Sequence, residues 1–302
     1  MDMIGTVDAS AFMEAVMETT EKTWNNAADR WLDGRKNKKA AHLKQEKHYV
    51  EVLTETVADG VKLDGLPLRK ITKGVVASLR DELLKTRSVA TVNRYLTVLR
   101  AILNMARDEW EWVDTVPKIK RMEEPKRVRF IEKDEVRRLL KELPAHLKDK
   151  VVFALSTGLR DANVRELRWD EVDLPNRMVT IDGSKMKAGK TLSIPLNDTA
   201  YEVLRKRHLA KNKDDTWVFA YGGRPVYRSG TRAFRKALQR AGIEDFRWHD
   251  LRHTWASWHI QKGTHTAAVR ELGGWSDDRM VQRYAHLNTK HLRKVADNIG
   301  AI

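Results

Sequence analysis

Hydrophobic side chains recur at three- and four-residue intervals over most of the chain, the spacing of helices that bury one face. Asp8 to Lys22 carries such a stripe through Phe12, Ala15 and Val16. Thr23 to Leu32 carries another through Trp24, Ala27, Ala28 and Trp31, and Leu43 to Thr56 resumes it. Asp59-Gly60 and Asp64-Gly65-Leu66-Pro67 punctuate the chain. Thr72 stands where a cap would precede Val75, Val76 and Leu79. The clearest stripe starts after Ser88, a capping residue, and runs to about Trp112 through Val92, Leu96, Leu99, Leu103 and Ala106. Asn93, Arg94, Arg100 and Arg107 fall away from it, which predicts an outer polar face.

The pattern fails at Thr115. Pro117 to Arg127 holds two prolines and many cations and reads as an extended linker. Helical spacing returns over Phe130 to Leu143 and His146 to Ser156, and Gly158 can take the left-handed conformation that stops a helix. The period changes to two at Arg177 to Asp182 and again at Thr191 to Leu196. That is a β-hairpin whose tip, Gly183 to Lys190, carries lysines. A helix follows Leu196-Asn197 through Val203 and Leu204, and Trp217 to Ala220 is a short strand-like run. Thr231 to Ala241 is a basic helix with Phe234, Ala237 and Leu238 inward and Arg232 and Arg235 outward. The class is mainly α with a small β-sheet. The predicted organisation is an N-terminal segment (1–22), a helical domain (23–116), a basic linker (117–129), a mixed α/β domain (130–288) and a C-terminal tail (289–302). A length of 302 residues suits two domains.

Charge adds a partner to this picture. Lys and Arg outnumber Asp and Glu 57 to 42, a formal net charge of +15. A folded protein this basic usually meets a polyanion, and nucleic acid is the commonest. The Arg35-Lys36-Asn37-Lys38-Lys39 run and the outer face of the Ser88 helix are candidate phosphate contacts, with Lys38, Lys39, Asn93, Arg94, Arg100, Arg232 and Arg235 as the named residues. The absence of cysteine excludes disulfides and cysteine-bound zinc and fits a reducing cytoplasm. The acidic first twenty residues lack the order of a signal peptide, and no apolar run is long enough to span a bilayer, so no membrane partner is expected.

The candidate chemistry gathers between Trp248 and Leu287. His249-Asp250-Leu251-Arg252-His253-Thr254 places His249 and Arg252 three apart, on one helical face. Leu272-Gly273-Gly274-Trp275 and Arg283-Tyr284-Ala285-His286-Leu287 follow. An imidazole, a guanidinium, an indole N–H and a phenol together suit a phosphodiester attacked by a tyrosine. Arg160, after the Thr157-Gly158 stop, sits on a corner that could point into the same cleft. His249 and His253 are also at a spacing that zinc can use, but no Glu-containing HExxH surrounds them and no third ligand is evident, so no metal or other cofactor is expected.

These motifs resemble, in order, those of the tyrosine recombinase family, particularly phage and prophage integrases. They are Thr157-Gly158-Leu159-Arg160, a hairpin lysine before Ser193-Ile194-Pro195-Leu196, the His249 to Thr254 run, Leu272-Gly273-Gly274-Trp275 and Tyr284-Ala285-His286-Leu287. The resemblance implies a helical, SAM-like core-binding domain followed by the recombinase catalytic domain. It implies Tyr284 as nucleophile, Arg160 and Arg252 as the clamp on the scissile phosphate, and His249 in proton transfer. It implies Trp275 as a positioning group and Lys187 as the acid at the departing 5′-oxygen, with Lys185 and Lys190 as rivals. The implied partners are double-stranded DNA, three further copies of the chain in a tetramer on DNA, and room for an accessory DNA-bending or directionality protein, in the cytoplasm of a bacterial host at its nucleoid. Where the family often has an acidic residue, this chain has Asn163. With about twenty residues before Thr23, an arm-binding domain is expected to be absent or reduced to a short helix. The tail after Lys290 is expected to pack on a neighbouring protomer. Two alternatives share part of the pattern: a type IB topoisomerase, and a DNA-binding regulator with a silent site.

Overall fold

The computed structural model describes residues 21–124, 127–186, 189–226 and 228–287. The chain divides into two compact units, Met1–Lys126 and Arg127–Ile302. The expected helix at Asp8 to Lys22, Lys187 and the C-terminal tail fall wholly or mostly outside the described residues.

Among its described residues the first unit is built on four α-helices: α1 (Trp24–Asp33), α2 (Ala40–Glu55), α3 (Lys73–Leu84) and α4 (Val89–Asp108). Three begin where a hydroxyl replaces the missing backbone acceptor of a first turn. Thr23, Thr72 and Ser88 accept from the N–H groups of Asn26, Val75 and Thr91. The apolar stripes meet in one core around Trp24, Trp31, Leu53, Leu99 and Ile102. The last helix stops at Asp108, short of the expected Trp112. Glu111 takes a positive φ of 53°, and the N–H of Trp112 turns back to the carbonyl of Ala106 at 2.8 Å. Trp110 and Trp112 are thereby freed to flank the Arg30 guanidinium, 4.9 and 5.0 Å from their rings.

The described residues of the expected linker form neither helix nor strand, but it is not a free tether. Ile119 is buried in the first unit's core. Asn93 holds Met122 from both sides, donating to its carbonyl and accepting from its N–H, each at 2.9 Å. The amide also donates to Glu124 at 2.8 Å. Asn93 is fully buried, with donors and acceptor occupied, so the expectation that it faces DNA is corrected: it clamps the chain as it leaves the helix.

The second unit opens with α5 (Lys133–Glu142) and α6 (Ala145–Thr157), continues through the short α7 (Asp161–Arg165), and adds α8 (Asp198–Leu209), α9 (Arg232–Arg240), α10 (Asp250–Gln261), α11 (Thr266–Gly273) and α12 (Arg279–Gln282). The predicted hairpin is β2 (Met178–Ile181) with β3 (Leu192–Pro195), antiparallel, Val179 opposite Ile194. Val179, Ile181, Leu192 and Ile194 face inward, as the alternation requires. A short β1 (Val172–Asp173), unmarked in the sequence pattern, pairs with the outer edge of β2. The Trp217 run is less regular than expected. Trp217 makes one bridge to Arg168, and only Ala220–Tyr221 (β4) pairs with Arg224–Pro225 (β5). The main core centres on Phe153, Leu155, Val164, Ile194, Leu204 and Phe234. A second cluster joins Trp255, Ala256, Ile260, Val269 and Val281 to Tyr284.

Candidate active site

The site begins with two glycine turns. Gly158 ends α6 at φ 64°, and a Cβ there would lie 2.3 Å from the Trp255 ring. Gly273 and Gly274 end α11. A Cβ on Gly273 would lie 2.3 Å from the Trp275 ring, and Gly274 is itself left-handed at φ 60°. Glycine is therefore required by both backbone conformation and close approach of an indole. What these turns supply is carbonyl oxygen. Arg252 donates to the carbonyls of Gly158 and Gly273, both at 2.6 Å, and Arg160 donates to that of Gly274 at 3.2 Å. The Gly158 turn, read from the sequence as a helix stop, and the Gly273-Gly274 turn are thus the seats of the two arginines.

Arg252 is 3% exposed and lies 3.9 Å above the Trp275 ring. Burial, with the nearby charge of Arg160, pulls its pKa down to about 9, which leaves it a cation at neutral pH. Arg160 caps α7 and is half-buried, its pKa lowered by burial. Two guanidinium groups beside one another, hydrogen-bonded to neutral carbonyls and, among the described residues, without an ion-pair partner, form a site for an anion.

The His249 to Thr254 run explains why this helix can hold a buried cation. His249 takes the helical cap position of α10. Asp250, 2% exposed, accepts both arms of the Arg127 guanidinium at 2.9 and 3.0 Å and the N–H of Arg247 at 2.7 Å. Leu251 enters the core, and Thr254 accepts from the N–H of Ile131. Arg127 also holds Asp245. It lies in the stretch read as linker, and nothing in its spacing marked it. The doubly paired carboxylate fixes the first turn that carries His249 and Arg252.

Tyr284 follows α12 and is 1% exposed. Its ring lies 6.4 Å from that of Trp275, the same indole that Arg252 covers. Its hydroxyl is hydrogen-bonded to Nδ1 of His253. Burial raises its pKa to about 12, against the lowering effects of Arg283 and Arg252. The His253 ring meets that of His249 edge-on, centroids 5.0 Å apart. Burial, then His249, lowers the His253 pKa to about 4, so it is neutral at pH 7. His249 is exposed, and partial desolvation followed by Arg252 lowers its pKa too. Arg160, His249, Arg252, Trp275 and Tyr284 are therefore gathered at one place, and His253 joins them.

Of the hairpin lysines, Lys187 lies outside the described residues. Lys185 pairs with Glu171 at 2.7 Å, while Lys190 lines a groove with Thr191, Arg270 and Trp275. Asn163, in place of an acid, is buried and donates its amide to the thioether of Met186 at 3.2 Å. It ties down the hairpin at the residue before Lys187 without adding charge. Of the proposed phosphate contacts, Lys39, Arg94, Arg232 and Arg235 are exposed and Arg100 is half-buried. Lys38 is paired with Glu46 at 2.8 Å. Among the described residues, no three His, Asp or Glu side chains are grouped to hold a metal, and no helix is long and apolar enough to cross a membrane.

A helical unit followed by an α/β unit in which a phenol stands near one buried and one half-buried guanidinium group fits a tyrosine-type DNA strand-transfer enzyme. The profile of the phage integrase family matches residues 129–291. The integrase of Salmonella phage P22 is 35% identical over 94% of this chain and 81% of its own length. In fold, the chain is similar to the Tn1549 transposon integrase in complex with transposon right-end DNA, with a TM-score of 0.74 at 16% identity, covering 93% of this chain and all of that one. It is also similar to a lambda integrase tetramer bound to a Holliday junction, with a TM-score of 0.73 at 18% identity, covering 92% and 81%. The chain belongs to the phage integrase family and is a site-specific DNA recombinase.

Proposed function

We propose that Tyr284 attacks a DNA phosphate held by Arg160 and Arg252, displaces a 5′-hydroxyl and leaves a 3′-phosphotyrosyl bond. The observation that carries this reading is the shared indole: Trp275 touches the Arg252 guanidinium on one side and neighbours the Tyr284 ring on another. The two guanidinium groups supply the positive charge that a pentavalent phosphorus needs, so the reading requires no metal or other cofactor. His249 adds an imidazole beside Arg252, Trp275 orients and packs, and Lys187 protonates the departing oxygen. The covalent bond conserves the phosphodiester's energy, so a 5′-hydroxyl of a partner duplex can reseal it. The lambda neighbour is a tetramer on a Holliday junction; we propose the same assembly here, on duplex recombination sites, serving integration or excision of a mobile element in a bacterial host.

A nicked suicide duplex tests this. The wild-type chain is expected to form a covalent adduct that Tyr284→Phe abolishes. A wild type that forms none would favour the silent regulator. Strand exchange between two duplexes then separates a recombinase from a topoisomerase-like relaxer of supercoils.

A further inference from the structure

We infer that His253 is the group that accepts the Tyr284 proton when the phenol attacks phosphorus. The inference rests on Tyr284 being the nucleophile. The Tyr284 hydroxyl and Nδ1 of His253 share a hydrogen bond, one helical turn beyond His249. A neutral imidazole has one lone pair and one N–H. With Nδ1 receiving the phenol proton, the N–H must sit on Nε2. The ring is held for this task from several sides. It lies on α10, whose first turn is locked by Arg127 and Asp250, and it is packed edge-on against His249. The charged and titratable groups facing it are His249, Asp250, Arg252, Arg283 and Tyr284.

The step balances. The Tyr284 oxygen forms a bond to phosphorus while the bond from phosphorus to the 5′-oxygen breaks. The phenol proton passes to Nδ1, and the departing oxygen takes a proton from the leaving-group acid. On resealing, the His253 imidazolium returns its proton to the phenolate. The same geometry keeps the enzyme quiet without DNA. Burial disfavours a charge on either partner, so phenol and imidazole both stay neutral until a phosphate anion arrives at the arginines. That anion favours the imidazolium, and the bond being formed consumes the phenolate.

The test is single-turnover adduct formation on the suicide duplex. His253→Asn keeps a polar group near the phenol but cannot carry the proton. It is expected to slow adduct formation on the order of 100-fold, with DNA affinity by mobility shift unchanged. The defect should persist when the 5′-bridging oxygen is replaced by sulfur, because a thiolate leaves without a proton. Added imidazole should restore at least part of the rate of His253→Gly. A His253→Asn protein as fast as wild type, or faster, overturns the inference, as does a defect that sulfur cures. Should His253→Asn bind DNA poorly, the glycine protein decides: rescue by imidazole supports the role and no rescue overturns it. Tyr284→Phe runs alongside. If it still forms an adduct, the nucleophile itself is misassigned; if it is inert while His253→Asn is unaffected, only the proton acceptor is.

Discussion

The two units bury different things. Among its described residues the first hides mainly hydrocarbon, indole and the Tyr95 phenol, and the buried amide of Asn93 is satisfied by backbone and carboxylate. The second hides Arg252, Asp250, Lys150 and the Tyr284 phenol. Burying charge is costly unless it is paired or serves a bound ligand. Asp250 is paired. Among the described residues Arg252 has no ion-pair partner: it has two carbonyls and an indole, a surrounding that waits for an anion. A polar side chain inside the first unit is therefore there for the fold. One inside the second is a candidate for chemistry until a partner is found for it.

The sharpest way to break this contrast is to keep the charge of Arg252 and change its shape. Lysine cannot reach two carbonyls and a phosphate with one planar fork. Arg252→Lys is expected to lower adduct formation by roughly 10²–10³-fold, the scale of losing one oriented donor to a transition-state oxygen. Thermal unfolding should show a loss of about 1–3 kcal/mol from the carbonyl left without a donor. A variant that cleaves at the wild-type rate would mean that the guanidinium only holds the glycine turns together.

Asn93 and Arg94 offer a smaller test within the first unit, because they are neighbours on α4 with opposite fates. Asn93→Ala removes three hydrogen bonds of a buried amide and is expected to cost about 1–3 kcal/mol of stability. Once the protein is folded, the salt dependence of its DNA affinity should be unchanged. Arg94→Ala is expected to unfold as wild type does, but to weaken binding and to lower the slope of log affinity against log salt by about one. Equal slopes for wild type and Arg94→Ala would remove Arg94 from the proposed DNA face.

How much of this was legible in the sequence follows from what each signal depends on. The caps at Thr72 and Ser88 are local and could be read directly, and the helices that Thr23, Asn197 and Thr231 cap could be read from their spacing. So could the period-two hairpin. The gathering of Arg160, His249, Arg252, Trp275 and Tyr284 could be expected only through motifs in a familiar order, because no local pattern says that distant segments meet. Asn93 was misread because α4 is buried over more of its circumference than the apolar stripe alone suggests. Polar identity cannot show that a backbone 29 residues away will fill an amide. Arg127 was read as one more linker cation, since its meaning lies in a carboxylate 123 residues later. The role of the glycine carbonyls was invisible for the same reason: a glycine in a motif advertises its missing side chain, and its oxygen belongs to every residue alike.

Lys150 probes the contrast from the other side. It lies in α6, 2% exposed, and burial lowers its pKa from 10.5 to about 8, although the charge of Asp161 opposes the shift. It has no place in the proposed chemistry, so it should be a cost to stability. The folded pKa lies below the unfolded one. The penalty on the protonated form is therefore full below about pH 8 and is relieved as pH rises toward 10.5. Lys150→Met keeps the length and removes the charge. It is expected to raise stability at pH 7 by about 1–3 kcal/mol, from a shift of that size at 1.36 kcal/mol per pH unit less what Asp161 loses. The advantage should shrink as denaturant melts are repeated from pH 8 to pH 10. A methionine variant less stable than wild type at pH 7 would show that the ammonium holds Asp161, and with it the turn that carries Arg160. Lys150 would then belong with the arginines as a charge that the second unit has a reason to bury.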